Sequence, residues 1–113
     1  MRIIRNISAS LLCLFTVFSS PVLAQSNYPN KPINLIVPYG AGGSADSRSR
    51  QLGQKMSLIL KQPIVIDNKP GAGGNIGTEA IVRAAPDGYT IGMGNFAPMA
   101  VNKTLFGNLR YDP

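Results

Sequence analysis

Pro32-Ile33-Asn34-Leu35-Ile36-Val37-Pro38-Tyr39, followed at once by Gly40-Ala41-Gly42-Gly43-Ser44, is the stretch that decides the fold. Its first eight residues form a short, β-branched, nearly continuous apolar run. That is the pattern of a strand buried on both faces, as in a parallel sheet. The glycines break the run, and the chain then turns helical. From Ala45 to about Lys61, the residues Leu52, Met56 and Ile59 fall at i, i+4 and i+7 and share one helix face. Arg48, Arg50 and Lys55 point elsewhere and stay wet. A short side-chain oxygen at Ser44 or Asp46 is expected to cap the start. Gln62-Pro63 ends the helix.

The same unit then recurs. Pro63 to Asp67 repeats the strand in miniature, Asn68 to Gly74 is a second glycine-rich turn, and Asn75 to Ala85 is a helix with Ile76, Ala80 and Ala84 on one side. Its small residues allow close packing on a sheet. Ala85-Pro86-Asp87-Gly88 stops it in a turn. Tyr89 to Met93 is a third strand, and Asn95 to Phe106 a third helix, broken or started by Pro98 and closed by Gly107. Alternating elements of these lengths predict an α/β domain with a parallel sheet and right-handed crossovers.

Upstream, Arg2 and Arg5 precede the apolar run Ile7 to Phe18, and Val22-x-Ala24 stands before Gln25. A basic start, a short apolar core and a small-residue site form a secretory signal peptide over residues 1–24. The run is about a dozen residues, against about 20 for a bilayer span. The protein is therefore expected in the periplasm. Cys13 falls inside this leader, so residues 25–113 contain neither cysteine nor histidine. That excludes a disulfide framework and the usual transition-metal ligands. Of 11 Lys and Arg the leader removes two, leaving nine against five acids, a net charge of +4. The nine are scattered without aromatic interleaving, and export removes nucleic acid as a partner; what remains is a mild field favouring anions.

In a parallel sheet every strand-to-helix loop opens on one edge, where ligands bind. Both glycine loops, Gly40–Ser44 and Gly71–Gly74, lie on that edge and each precedes a helix. A helix N-terminus offers unpaired N–H groups and partial positive charge, and glycine lets a ligand approach the backbone. Two such ends converging on one point would hold a carboxylate without a charged side chain. A rival reading exists, since Gly40-x-Gly42-x-x-Ala45 fits the dinucleotide fingerprint and Asp67 ends the second strand. Export opposes it, and the elaborate second loop is unneeded there. Catalysis gets little support: Ser44 has no histidine, and Asp46, Asp67, Glu79 and Asp87 are dispersed. No cofactor is expected.

At the two loops the chain resembles a known family. Tyr28-Pro29-x-Lys31-Pro32-Ile33 with Val37-Pro38-Tyr39-x-x-Gly42-Gly43-Ser44-x-Asp46 is similar to the opening of the tripartite tricarboxylate transporter substrate-binding proteins, also called the Bug family. Asn68-Lys69-Pro70-Gly71-Ala72-Gly73-Gly74-Asn75-Ile76-Gly77 looks like its second loop, and Ala84-Ala85-Pro86-Asp87-Gly88-Tyr89-Thr90 its next turn and strand. Asn102, Leu105 and Tyr111-Asp112-Pro113 fit as well. The resemblance implies a two-lobed, Venus-flytrap periplasmic binding protein, of which residues 25–113 supply the first part of lobe one, the second lobe being absent and the isolated chain marginally stable. It implies a monomer that delivers a small carboxylate, such as a di- or tricarboxylate or acidic amino acid, to membrane subunits of a transporter. Carried over, Gly43, Ser44, Ala45 and Asp46 form one half of a carboxylate clamp and Gly73, Gly74 and Asn75 the other, with Asn95 on the cleft wall. Asp46 caps the helix or meets a ligand amine or water. Where the family often has prolines this chain has Gly40 and Ala41, so a more mobile first loop is expected; Ser49 replaces a common alanine. An exported α/β enzyme and a truncated, non-binding product are the alternatives.

Overall fold

The computed structural model describes residues 27–113. The expected export signal, residues 1–24, and Cys13 lie outside them. The elements run β1 (Ile33–Val37), α1 (Ser44–Leu60), β2 (Ile64–Asn68), a 3₁₀ turn (Ala72–Gly74), α2 (Asn75–Val82), β3 (Thr90–Gly92), a π-helical turn (Ala97–Val101) and α3 (Asn102–Phe106). The three strands form one parallel sheet in the order β2-β1-β3. Ile33 pairs with Ile64, and Asn34 with Thr90.

The apolar run sits where its composition sends it. β1 is the middle strand, and Ile33, Leu35, Ile36 and Val37 are all buried. Each contributes roughly 1.5–3 kcal/mol by leaving water. Because all strands point one way, the segments after β1, β2 and β3 emerge on a single edge. That topology was legible in the alternation of elements.

The helix faces were less legible. α1 turns Asp46, Ser49 and Gly53 to the sheet, while Leu52 is 54% and Ile59 78% exposed. The expected Leu52–Met56–Ile59 stripe is not the packed face. The reason is steric. A Cβ added to Gly53 would meet Ile64 at 3.2 Å and Ile66 at 3.3 Å, so the bare side of the helix lies directly on β2. Arg48, Arg50 and Lys55 are exposed as expected. α2 does pack close through a small residue: a Cβ at Gly77 would come 2.6 Å from Pro38 Cα. It ends at Val82, three residues early, and Ile76 is 52% exposed. The Asp87–Gly88 turn forms as read, with Asp87 accepting the Tyr89 amide at 2.9 Å. Pro98 sits buried in the first turn of the last helical segment, at its start as expected, where its missing N–H has no intrahelical acceptor to lose; the π turn runs on into α3.

Candidate functional site

On the carboxyl edge of the sheet a hollow of about 440 Å³ is lined by Tyr39, Gly40, Ala41, Gly43, Ser44, Ala45 and Asn95. No charged side chain lines it. Its floor is the start of α1. Gly43 is the N-cap residue, and neither Ser44 nor Asp46 caps the helix with its side chain, contrary to expectation. The first intrahelical bond runs from the Ser47 amide to the Gly43 carbonyl at 2.9 Å. The amides of Ser44, Ala45 and Asp46 come before it and have no helical acceptor. They form the positive pole of the helix, and Ser44 and Ala45 line the hollow there.

Asp46 shapes this loop from beneath. It is only 4% exposed. Its Oδ2 accepts the Gly42 amide at 2.8 Å and Arg50 Nε at 3.0 Å. These donors, Arg50 first and then Gly42, hold the carboxyl down at about 2. Its Oδ1 is buried and unpartnered among the described residues. Arg50 reaches on to Asn68 Oδ1 at 3.4 Å, and Asn68 Nδ2 donates to the Tyr39 carbonyl at 3.0 Å. The loop is thus tied at Tyr39 and at Gly42, on either side of Gly40 and Ala41. Ser49 is buried with its hydroxyl 3.4 Å from Met93 sulfur.

The second glycine loop is built differently. Its amides turn inward, Gly74 to the Gly71 carbonyl at 2.9 Å and Asn75 to the Ala72 carbonyl. Asn102, 2% exposed, donates to the Gly73 carbonyl at 3.1 Å and to Asn75 Oδ1 at 2.6 Å. The Tyr111 hydroxyl is shared between Asn75 Oδ1 and the Pro98 carbonyl. Thr78 closes the set on the Gly74 carbonyl at 3.0 Å. Asn75 is therefore a strut with its carbonyl oxygen occupied.

Of the eight candidates, Gly43, Ser44, Ala45 and Asn95 come together around the hollow. Asp46 lies under it, while Gly73, Gly74 and Asn75 do not line it. Tyr39 links the hollow to the second loop, its hydroxyl 3.2 Å from where a Gly74 Cβ would be. Tyr39, Asn102 and Tyr111 enter the sequence reading only through the family resemblance, and their roles here escaped it. Tyr39 carried a local signal, an aromatic residue at the end of β1. The bracing by Asn102 and Tyr111 carried none, because their partners lie 27 and 36 residues away. A somewhat larger depression, about 490 Å³, runs along α1 and β2 past Gly53 and Ile64. It opens away from the loops, and its one cation, Arg50, is already paired with Asp46.

Residues 48–113 match the family described as tripartite tricarboxylate transporter family receptor. Among curated proteins the chain is similar to Protein BugT of Bordetella pertussis, 43% identical over 94 residues, covering 82% of this chain and 28% of that protein. It is also similar to MatC from Rhodopseudomonas palustris, solved with bound malate, at 35% identity and a TM-score of 0.72, covering 76% of this chain and 29% of that one. An R. palustris protein solved with adipate gives 32% identity and a TM-score of 0.74 over 77% of this chain and 29% of that one. The chain spans under a third of the length of each of these relatives.

Proposed function

Because the chain belongs to the tripartite tricarboxylate transporter receptor family, we propose that it is the ligand-gripping first part of a periplasmic solute-binding protein for a small carboxylate. One observation carries this reading: a hollow on the sheet edge whose only concentrated polarity is a row of uncapped α1 amides, with no charged side chain present. Such a floor attracts an anion and leaves a cation or an apolar solute without partners. One ligand carboxylate docks on the Ser44 and Ala45 amides. The Ser44 hydroxyl and Asn95 amide add donors from the walls. Asn95 Oδ1 already accepts the Ala97 amide at 3.2 Å, so its Nδ2 is the end that faces a ligand. The second loop holds Tyr39 and α3 in place.

Residues 1–24 act as the cleavable leader, the protein binds as a monomer, and it hands its ligand to the membrane subunits of a transporter. Malate, adipate and citrate titrated separately into the full-length gene product by calorimetry provide the test. Saturable binding of at least one is expected. Binding of none, with the protein folded, contradicts the reading.

A further inference from the structure

The four tyrosines of the chain divide three to one. Tyr28 donates to the Gly88 carbonyl at 2.7 Å, Tyr89 to Asn30 Oδ1 at 2.9 Å, and Tyr111 to Pro98 and Asn75. Tyr39 engages the described residues only through its backbone carbonyl, which takes Asn68 Nδ2. Its hydroxyl has no hydrogen-bond partner among them. The ring is half-buried, and a phenol in that position ordinarily finds a partner for its polar tip.

Its location says which partner. Tyr39 lines the hollow together with Ser44 and Asn95, and its hydroxyl lies 3.2 Å from where a Gly74 Cβ would be. Gly74 has φ +94°, and a side chain there would press on the phenol oxygen. The second loop thus keeps a bare backbone just where the hydroxyl needs room. Burial raises the phenol above its ordinary pKa, so it keeps its proton through the neutral range and serves as a donor.

We propose that the Tyr39 hydroxyl is a ligand contact, donating a hydrogen bond to the carboxylate oxygen that faces the second loop while the α1 amides hold the other oxygen. Donors on two sides, with no acceptor side chain opposed to them, select a planar group carrying two acceptor oxygens. An alcohol or a primary amide leaves one donor set unpaired, which costs discrimination energy. This assignment rests on the carboxylate reading above.

The test is Tyr39→Phe in the full-length gene product, titrated with malate, adipate and citrate beside the unaltered protein, with the melting temperature of each recorded without ligand. For whichever acid the unaltered protein binds, affinity is expected to fall about tenfold, with the ligand-free melting temperature within about 2 °C. Equal affinity in the two proteins overturns the assignment while leaving the carboxylate reading intact. A loss of affinity that tracks an equal loss of ligand-free stability makes the hydroxyl structural and also overturns it. If the unaltered protein binds none of the acids, the carboxylate reading falls and takes this assignment with it.

Discussion

The two glycine-rich loops occupy equivalent places, each between a strand end and a helix start on one sheet edge, yet they spend their polar groups in opposite ways. The first leaves the amides at the head of α1 uncapped and ties itself down from below through Asp46, Arg50 and Asn68. The second turns its amides onto its own carbonyls and locks them to α3 and Tyr111. Glycine content therefore marks close backbone approach without saying what approaches. At the first loop the amides at the head of α1 have no side-chain cap; at the second, what approaches is the protein itself.

The largest effect that separates them belongs to the second loop. Asn102→Leu leaves the Gly73 carbonyl without a donor and Asn75 with only Tyr111. Unsatisfied buried groups cost about 1–3 kcal/mol each, so a loss of about 2 kcal/mol is expected in the unfolding free energy measured by urea titration. Affinity of the folded variant should change by less than about threefold. A stable variant with lost affinity would reverse the roles given to the two loops.

A smaller effect probes the tie beneath the first loop. Asp46 titrates near 2 in the folded protein, below the ordinary carboxylate value near 4. A group lowered on folding stabilises fully above its unfolded pKa and loses that contribution as pH falls toward its folded one. Stability should therefore decline from about pH 4 down to about pH 2, where the Arg50 and Gly42 bonds to Asp46 fail. In Asp46→Asn, which retains an acceptor for the Gly42 amide but no charge for Arg50, the urea midpoint should depend less on pH across that window. Parallel profiles for the two proteins would remove Asp46 from its role as the tie.

Much of this was legible in the residues. The run Ile33–Val37 gave a doubly covered strand, and the repeated strand, glycine loop and helix gave a parallel sheet with its loops on one edge. Both features depend on local composition and spacing. The packed side of α1 was not legible from apolar periodicity, because contact with β2 is set by the absence of a side chain at Gly53 and not by Leu52 or Ile59. The difference between the loops was equally hidden. It depends on Asn102 and Tyr111 reaching back across some thirty residues, and no local pattern announces a hydrogen bond of that span. Of the two like motifs, the first lines the hollow and the second is braced by Asn102 and Tyr111, with the Tyr39 hydroxyl beside Gly74.

The amides at the head of α1 carry the account, and Ser44→Pro tests them most directly. Proline is well tolerated at the first helical position, and Gly43, at φ −77° and ψ 174°, already has the extended backbone a residue before proline requires. The change removes one amide donor and the hydroxyl while leaving the helix in place; Ser44→Ala, titrated alongside, isolates the hydroxyl. Calorimetry on the full-length gene product should show carboxylate affinity lower by about tenfold in Ser44→Pro than in Ser44→Ala, with thermal stability nearly unchanged. Equal affinities in the two variants would contradict the claim that backbone amides of this loop hold the ligand.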